Sequence, residues 1–120
     1  MERTREITVN GTPIVHLDFT GLTDDKEALA AFEEARRFIA RYPKESARTL
    51  TDVSRSRAGD QMVAGLKSLA KANRPYVKAG AVVGLTAVQQ ILFKAVMAFS
   101  GRNLSAFATL EEAKRWLSRQ

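Results

Sequence analysis

Residues 48–57, with the sequence RTLTDVSRSR, decide the fold. They are typical of a strand that runs into a polar turn and then into a helix. In an open α/β sheet, ligands and partners bind at the edge where such strands end, because the backbone opens there and helix N-termini point at the gap. A binding site is therefore expected at the carboxyl-terminal end of this strand.

The segments around this stretch alternate between strands and helices. The dipeptide Asn10-Gly11 tolerates the positive φ angles of a tight turn, which predicts an N-terminal β-hairpin. Polar residues followed three positions later by Glu or Gln predict helix starts at Asp24, Thr86 and Thr109. The predicted strands cover residues 7–9, 14–19, 47–53, 76–84 and 103–107, and the predicted helices cover 24–42, 61–72, 86–101 and the chain from 109 onward.

The predicted element order is ββαβαβαβα, in a single domain that covers residues 1–120. Short connections and right-handed crossovers make the last four strands parallel, whereas the hairpin makes the first strand antiparallel to the second. The fold class is therefore α/β, with a mixed five-stranded sheet flanked by helices. At the end of the second helix, Asn73 is predicted in a left-handed conformation, because Pro75 prevents the helix from continuing.

The composition is that of an ordinary globular protein. Of the 120 residues, 45% are hydrophobic and 27% are charged, and no apolar run approaches the ~20 residues that span a bilayer. The charged N-terminus does not have the apolar core of a signal peptide, so we expect a cytoplasmic protein without a membrane span. Because the chain has no cysteine, disulfides and thiolate metal sites are excluded.

The net charge of +6 raises the question of nucleic-acid binding. The basic residues are spread over predicted helical surfaces and do not form a tract, and the chain has no nucleic-acid recognition motif. Some of them lie near helix C-termini, where a cation is stabilised by the helix dipole. A solvated basic surface is the favoured interpretation, and nucleic acid is not expected as the partner.

The parallel strands bring three polar segments to one edge of the sheet: Asp18, residues 52–57 and residues 84–86. The carboxylates of Asp18 and Asp52 would serve acid–base chemistry if their environments drove the two pKa values apart. The favoured alternative is that Asp52 caps a turn and that Asp18 bonds the amides of a loop.

No catalytic set is evident in the sequence. His16, the one histidine, lies within a predicted strand and has no second histidine or cysteine with which to bind a metal. No serine stands at the spacing of a catalytic triad, and no glycine-rich phosphate loop is present. We therefore predict a packed or partly exposed strand histidine and a protein without enzymatic activity, metal or cofactor.

The third predicted helix has more apolar residues than a single buried face requires. Its main apolar face runs from Val88 to Phe99 and is widened by Ile91, while Phe93 and Met97 lie well around the helix from it. Two explanations stay open, namely burial between the sheet and the last helix, and a contact surface or apolar ligand pocket. If Phe93 and Met97 face solvent, they are the residues expected to form a homodimer contact.

Five segments of the chain resemble a known family. They are TLTDVS at 49–54, RPYVKA at 74–79, AVVG at 81–84, FSGRN at 99–103 and FATLEEAKRWL at 107–117. In this succession they resemble the SpoIIAA-like branch of the STAS domains, the superfamily named after sulfate transporters and anti-sigma-factor antagonists.

The resemblance implies a small, non-enzymatic regulatory or interaction module of ββαβαβαβα type. In the anti-sigma-antagonist relatives, a partner kinase phosphorylates a serine that directly follows an aspartate, between the third strand and the second helix. Here Val53 follows Asp52, so the candidates for phosphorylation are Ser54 and Ser56. The branch is also likened to lipid carriers of the Sec14 type, which would suit an apolar ligand.

The residues and the resemblance together predict a cytoplasmic module that binds a protein partner at the carboxyl-terminal edge of its sheet. The expected partner is a kinase, an anti-sigma-like protein or a second copy of the chain. The alternative is a carrier or sensor of a small apolar or anionic ligand. The predicted binding residues are Asp18, Asp52, Ser54, Arg55, Ser56, Arg57 and Thr86.

Overall fold

The computed structural model describes residues 2–57, 59–100 and 104–120, with the backbone but not the side chains of residues 99 and 100. The predicted helix end at Gly101, the strand start at Asn103 and the side chain of Phe99 lie outside the described residues. The strands are β1 (Thr4–Val9), β2 (Thr12–Asp18), β3 (Ala47–Asp52), β4 (Val77–Val83) and β5 (Leu104–Phe107). The helices are α1 (Asp25–Ile39), α2 (Asp60–Asn73), α3 (Ala87–Ser100) and α4 (Leu110–Leu117), and a short 3₁₀ turn (Arg74–Tyr76) links α2 to β4.

The strands form one five-stranded sheet in the order β1-β2-β3-β4-β5. β1 pairs antiparallel with β2 through Asn10 and Gly11, which have φ angles of 51° and 78°. The pairs β2–β3, β3–β4 and β4–β5 are parallel. The predicted α/β class, the mixed sheet and the strand directions are therefore confirmed.

The strand order decides which face of the sheet each helix covers. Right-handed crossovers that always step to the next strand place α1, α2 and α3 on the same face. α4 follows the last strand without a crossover, and it packs on the opposite face against β3, β4 and β5. The alternative in which α3 lies between the sheet and the last helix is therefore wrong, and α3 packs against α2 instead.

The alternation of side chains along the strands divides the core into two layers. On the first face, Leu17 packs against α1 around Phe32. On the second face, Ile14 and Leu50 pack under Leu117 of α4. Each of these five side chains is at most 5% exposed, so both layers exclude water.

Side-chain caps explain where three of the helices begin. Asp24 and Thr109 each accept a hydrogen bond from the amide three residues on, at 2.9 and 3.2 Å. At α3 the box is reciprocal, because the Thr86 amide donates to Gln89 Oε1 at 3.0 Å and the Gln89 amide donates to Thr86 Oγ1 at 3.2 Å. These predicted helix starts are confirmed, and each depends only on residues close in the chain.

The conformation of Asn73 differs from the prediction. Asn73 has φ −78° and ψ −19°, which is right-handed. The predicted left-handed cap is wrong because α2 continues directly into the 3₁₀ turn, where Pro75 fits the first turn of a helix and no reversal of the chain is needed. The side chain of Asn73 is instead buried, with 2% exposure.

β1 begins earlier than predicted because its start is tied to α1. Glu34 Oε2 accepts hydrogen bonds from the amides of Arg3 and Thr4, both at 2.9 Å. Arg3 Nη1 also donates to the carbonyl oxygens of Asp18 and Thr20, at 3.2 and 3.1 Å. These partners are far apart in the chain, so hydrophobic periodicity could not indicate them.

Candidate functional site

The ends of β2, β3 and β4 form a polar edge of the sheet, defined here as Asp18, residues 52–57 and residues 84–86. Asp18 lies beside Asp52 in the parallel register, and Asp52 lies beside Val83, the last residue of β4. The predicted convergence of these segments at one edge of the sheet is therefore confirmed.

Both aspartates of the polar edge use one carboxylate oxygen to close a turn. Asp52 Oδ1 accepts hydrogen bonds from the amide and the hydroxyl of Ser54, at 3.0 and 2.6 Å. Asp18 Oδ1 accepts from the amide and the hydroxyl of Thr20, at 3.1 and 2.5 Å. The prediction that Asp52 caps a turn and that Asp18 bonds a loop amide is confirmed.

The electrostatic surroundings of Asp18 lower its pKa. Partial burial acts in the opposite direction and raises the pKa, but the hydrogen bonds from Thr20, the charge of Arg3 and the charge that His16 carries at low pH outweigh it. Asp18 is therefore ionised at neutral pH. An ionised carboxylate that already accepts two hydrogen bonds is poorly suited to donate a proton in catalysis.

Two neighbouring segments hold the loop at residues 53–57 in place. Gln89 Nε2, on the first turn of α3, donates to the carbonyl oxygen of Ser56 at 2.8 Å. Gly84, with φ +88°, approaches the loop so closely that a Cβ there would lie 2.3 Å from Ser54 Oγ and 2.6 Å from its amide nitrogen. The tight approach therefore requires glycine at this position.

The hydroxyl groups of the polar edge are already engaged within the loops. Ser54 donates to Asp52, and Ser56 Oγ donates to the carbonyl oxygen of Val53 at 2.6 Å. The side chains of Arg55 and Arg57 are exposed, and Arg55 adopts a left-handed φ of 58°. The positively charged arginine side chains are thus exposed to solvent. The serine hydroxyls are instead hydrogen-bonded within the loop and stabilise its conformation.

An apolar cavity of about 100 Å³ lies below the polar edge, between the sheet and helices α2 and α3. Leu66 and Leu69 of α2, Leu92 and Phe93 of α3 and Thr51 of β3 are among the residues that line it. Among the described residues, no charged side chain lines this cavity. Its walls therefore suit a molecule that carries no charge.

The packing of α2 explains why this space stays open. Gly65 draws α2 close to α1, since a Cβ at this position would lie only 2.8 Å from a methyl carbon of Leu29 and 3.0 Å from the ring of Phe32. On the other side of α2, the strand surface carries the short side chains of Thr49 and Thr51. Sequence reasoning left an apolar ligand pocket at the third helix open but did not locate it against β3 and α2, although threonines within a strand of an apolar core were an available signal.

The exposed side of α3 is not the side that the sequence predicted. Phe93 lines the cavity, and both Phe93 and Met97 are partly buried. Val88 and Ile91 are instead 69% and 70% exposed. The assignment of Val88 to the buried face is therefore wrong, because a helix that is apolar on most sides has no single stripe from which to read its orientation.

His16 lies in β2 on the face that α4 covers. Within the described part of the chain, its buried Nε2 has no hydrogen-bond partner. Burial lowers the pKa of His16, and the nearby charge of Arg5 lowers it further. The prediction of a histidine packed within a strand is confirmed, and the ring is neutral at neutral pH.

In residues 2–57, 59–100 and 104–120, no three His, Cys, Asp or Glu side chains are grouped so as to hold a metal ion. No helix within these residues has both the length and the apolar character that crossing a bilayer requires.

Comparison of the chain with known protein families and with curated proteins finds no match. The features that bear on function are therefore the polar edge, the cavity and the resemblance within the sequence.

Proposed function

We propose that this protein is a non-enzymatic module that binds a small apolar ligand between its sheet and helices α2 and α3. The observation that carries the proposal is the cavity of about 100 Å³ with apolar walls. Protein interiors have few voids larger than a water molecule. An engineered cavity of about 150 Å³ with comparable walls takes up benzene or xenon, so a cavity of this order suits a guest of a few heavy atoms.

We place the entrance of the ligand at the polar edge. Ser56 and Gln89 both line the cavity, and the hydrogen bond from Gln89 Nε2 to the Ser56 carbonyl joins the loop at residues 53–57 to α3. Breaking this one bond would let α3 move away from the loop. Uptake of a ligand would thereby alter the polar edge, which gives the module the properties of a sensor.

The resemblance to SpoIIAA-like STAS domains supports this proposal. It implies a cytoplasmic, non-enzymatic module, and the likeness to Sec14-type carriers implies an apolar ligand. The five-stranded mixed sheet with four helices is compatible with such a fold. Membership of this family and the specific STAS topology are part of the proposal.

A protein partner at the polar edge is the second candidate function. The exposed guanidinium groups of Arg55 and Arg57 favour it, because they stand on a loop whose backbone is fixed on both sides. Val88 and Ile91 add exposed apolar area on the adjoining helix. A kinase, an anti-sigma-like protein or a second copy of the chain remains the expected class of partner.

Phosphorylation of the loop serines is not part of this second candidate. A phosphate on Ser54 would replace its hydrogen bond to Asp52 with about −1.5 to −2 charges beside a carboxylate. Ser56 would likewise lose its bond to the Val53 carbonyl. Both modifications would disrupt the loop that presents Arg55 and Arg57.

Xenon is the probe that tests the ligand proposal, because it is small and apolar. Amide spectra recorded under xenon pressure should show shifts at lining residues such as Leu69 and Leu92. Val63→Phe, which fills the cavity from α2, should abolish these shifts. Val88→Phe makes the same change at an exposed site of α3 and should leave them intact. Absence of xenon shifts in the unaltered protein would refute the proposal.

The partner proposal has a separate test. Protein purified from its own host is weighed by native mass spectrometry, which reports bound partners, ligands and subunit count together. The double variant Arg55→Ala with Arg57→Ala should lose the partner while keeping its fold, and added salt should weaken capture by the unaltered protein. A partner retained by the double variant would contradict a role for the two arginines.

A further inference from the structure

Asn73 places a carboxamide in the cavity, at the end far from the polar edge. It is the last residue of α2, is only 2% exposed and lines the cavity. Because α2 connects the parallel strands β3 and β4, it runs antiparallel to them, and its last residue lies at the opposite end from Ser56 and Gln89. Leu104, the first residue of β5, also lines the cavity, level with Gly80 and Thr49 of the neighbouring strands.

The carboxamide of Asn73 has no hydrogen-bond partner among the residues that the structure describes. No side chain or backbone group in that part of the chain makes a hydrogen bond with it, and Asn73 is one of the residues that line the cavity. Burying an amide without hydrogen bonds is unfavourable. An asparagine side chain offers two N–H donors and one carbonyl acceptor. A guest that both donates and accepts hydrogen bonds would therefore complement it.

The charge of the guest follows from the rest of the lining. The described residues that line the cavity include no Lys, Arg, Asp or Glu. A carboxylate or an ammonium group bound there would be desolvated without a counter-charge, which is strongly unfavourable. The anionic ligand of the carrier alternative therefore does not fit this cavity, whereas a neutral hydrogen-bonding group does.

We propose that the cavity binds a short neutral amphiphile, an alkyl chain that ends in a hydroxyl or carboxamide group. The polar end bonds Asn73, and the chain packs among Leu66, Leu69 and Leu92. This inference rests on the proposed function and narrows it to a class of ligand. It also assigns Asn73 as the residue that orients the ligand.

The test compares guests of one chain length that differ in the polar end. Butanamide, 1-butanol and butyrate are titrated into the full chain, with amide spectra as the readout, and xenon serves as the apolar probe. In the unaltered protein, butanamide and 1-butanol should shift the resonances of lining residues, whereas butyrate should not. Intermolecular NOEs should connect the butyl chain to Leu69 and Leu92, and the polar end should shift the Asn73 side-chain amide signals.

Asn73→Leu separates recognition of the polar end from uptake of apolar guests, because leucine has a similar shape without donors or acceptors. The variant should bind butanamide and 1-butanol about tenfold more weakly, as expected for the loss of hydrogen bonds to the ligand. It should bind xenon at least as tightly as the unaltered protein. Gln90→Leu removes a carboxamide from an exposed position of α3 that does not line the cavity, and it should leave the preference for butanamide unchanged.

The outcomes distinguish this inference from the proposed function. Xenon binding with no effect of Asn73→Leu on the amphiphiles would overturn the role of Asn73 while the ligand proposal stands. Butyrate bound as tightly as butanamide would overturn the requirement for a neutral group. If neither xenon nor the amphiphiles bind, the proposed function itself fails. Should Asn73→Leu not fold, the NOEs and the butyrate comparison in the unaltered protein decide the question.

Discussion

The two faces of the sheet are packed to different degrees. One short helix, α4, covers the second face, and Leu50, Ala113 and Leu117 there are fully buried at 0% exposure. Three helices cover the first face, and a cavity of about 100 Å³ remains beneath two of them. The number of helices on a face therefore does not decide how well it is filled.

The side chains at the contact explain this difference. Under α4, large side chains fill the space, and the rings of Phe107 and Trp116 lie 5.4 Å apart at its margin. Under α3, the short side chains of Thr49 and Thr51 of β3 leave a space that the surrounding side chains do not fill. The α4 face thus supplies stability, whereas the α2–α3 face retains space for a ligand.

The sharpest test of this comparison is a pair of leucine truncations. Leu117→Ala on the α4 face should lower the free energy of unfolding by about 2–5 kcal/mol, because it opens a cavity in a filled core. Leu92→Ala on α3 should cost clearly less, since Leu92 is partly exposed and already borders a void. Urea denaturation measures both values. Equal losses would show that the two faces are equally well packed.

The close approach of Gly84 to Ser54 at the polar edge gives the next largest effect. Gly84→Ala should destabilise the protein by about 1–3 kcal/mol, because the residue has φ +88° and its Cβ would meet Ser54. Gly11→Ala is the matched control, with φ +78° but no neighbouring atom within 4 Å, so it tests the backbone strain alone. If the two substitutions cost the same, the loop at residues 53–57 yields to the new methyl group.

The hydrogen bonds of the polar edge should contribute less. Ser54→Ala removes the hydroxyl that donates to Asp52 and should cost about 1 kcal/mol. Thr20→Ala removes the corresponding donor to Asp18 and serves as the comparison on the neighbouring strand. Thermal unfolding of both variants measures the effect. A stabilised Ser54→Ala variant would indicate that the hydroxyl is strained in its place.

The smallest expected effect is the pH dependence that His16 imposes on the α4 face. Burial lowers the pKa of His16 in the folded protein below its ordinary value of 6.5, so the folded state favours the neutral ring. Above pH 6.5 the ring is neutral in both states and contributes no pH dependence. As the pH falls below 6.5, the unfolded state binds the proton first, and the free energy of unfolding decreases until the folded pKa is passed.

His16→Gln should remove this part of the pH dependence. Denaturation series between pH 7.5 and pH 5 (a range of roughly one unit above and about 1.5 below the ordinary pKa) on both proteins measure the difference. Identical slopes for the two proteins would show that the ring is accessible to water in the folded state.

Much of the architecture could be predicted from residues that act on near neighbours. The turn at Asn10 and Gly11 and the caps at Asp24 and Thr109 formed as expected. The convergence of Asp18 with Asp52 also followed, because parallel strands end at a common edge. The predicted edge residues were brought together, but their hydroxyl groups proved to be occupied within the loops.

The errors share one cause. The left-handed conformation expected for Asn73 and the burial expected for Val88 were both inferred from local pattern alone. Whether Asn73 ends a helix or continues into a 3₁₀ turn depends on where β4 must begin. Which side of α3 faces inward depends on α2, because the helix is apolar on most sides.

The sequence by itself determined the α/β class, the element order, the strand directions and most helix starts. These features depend on turns and caps that are satisfied within three or four residues, and on a crossover rule that holds for most folds. Only the tertiary structure decided the strand order, the face that α3 covers, the cavity and the position of Asn73 within it. A void depends on side chains from strands and helices distant in the chain, and each side chain alone fits a filled core equally well.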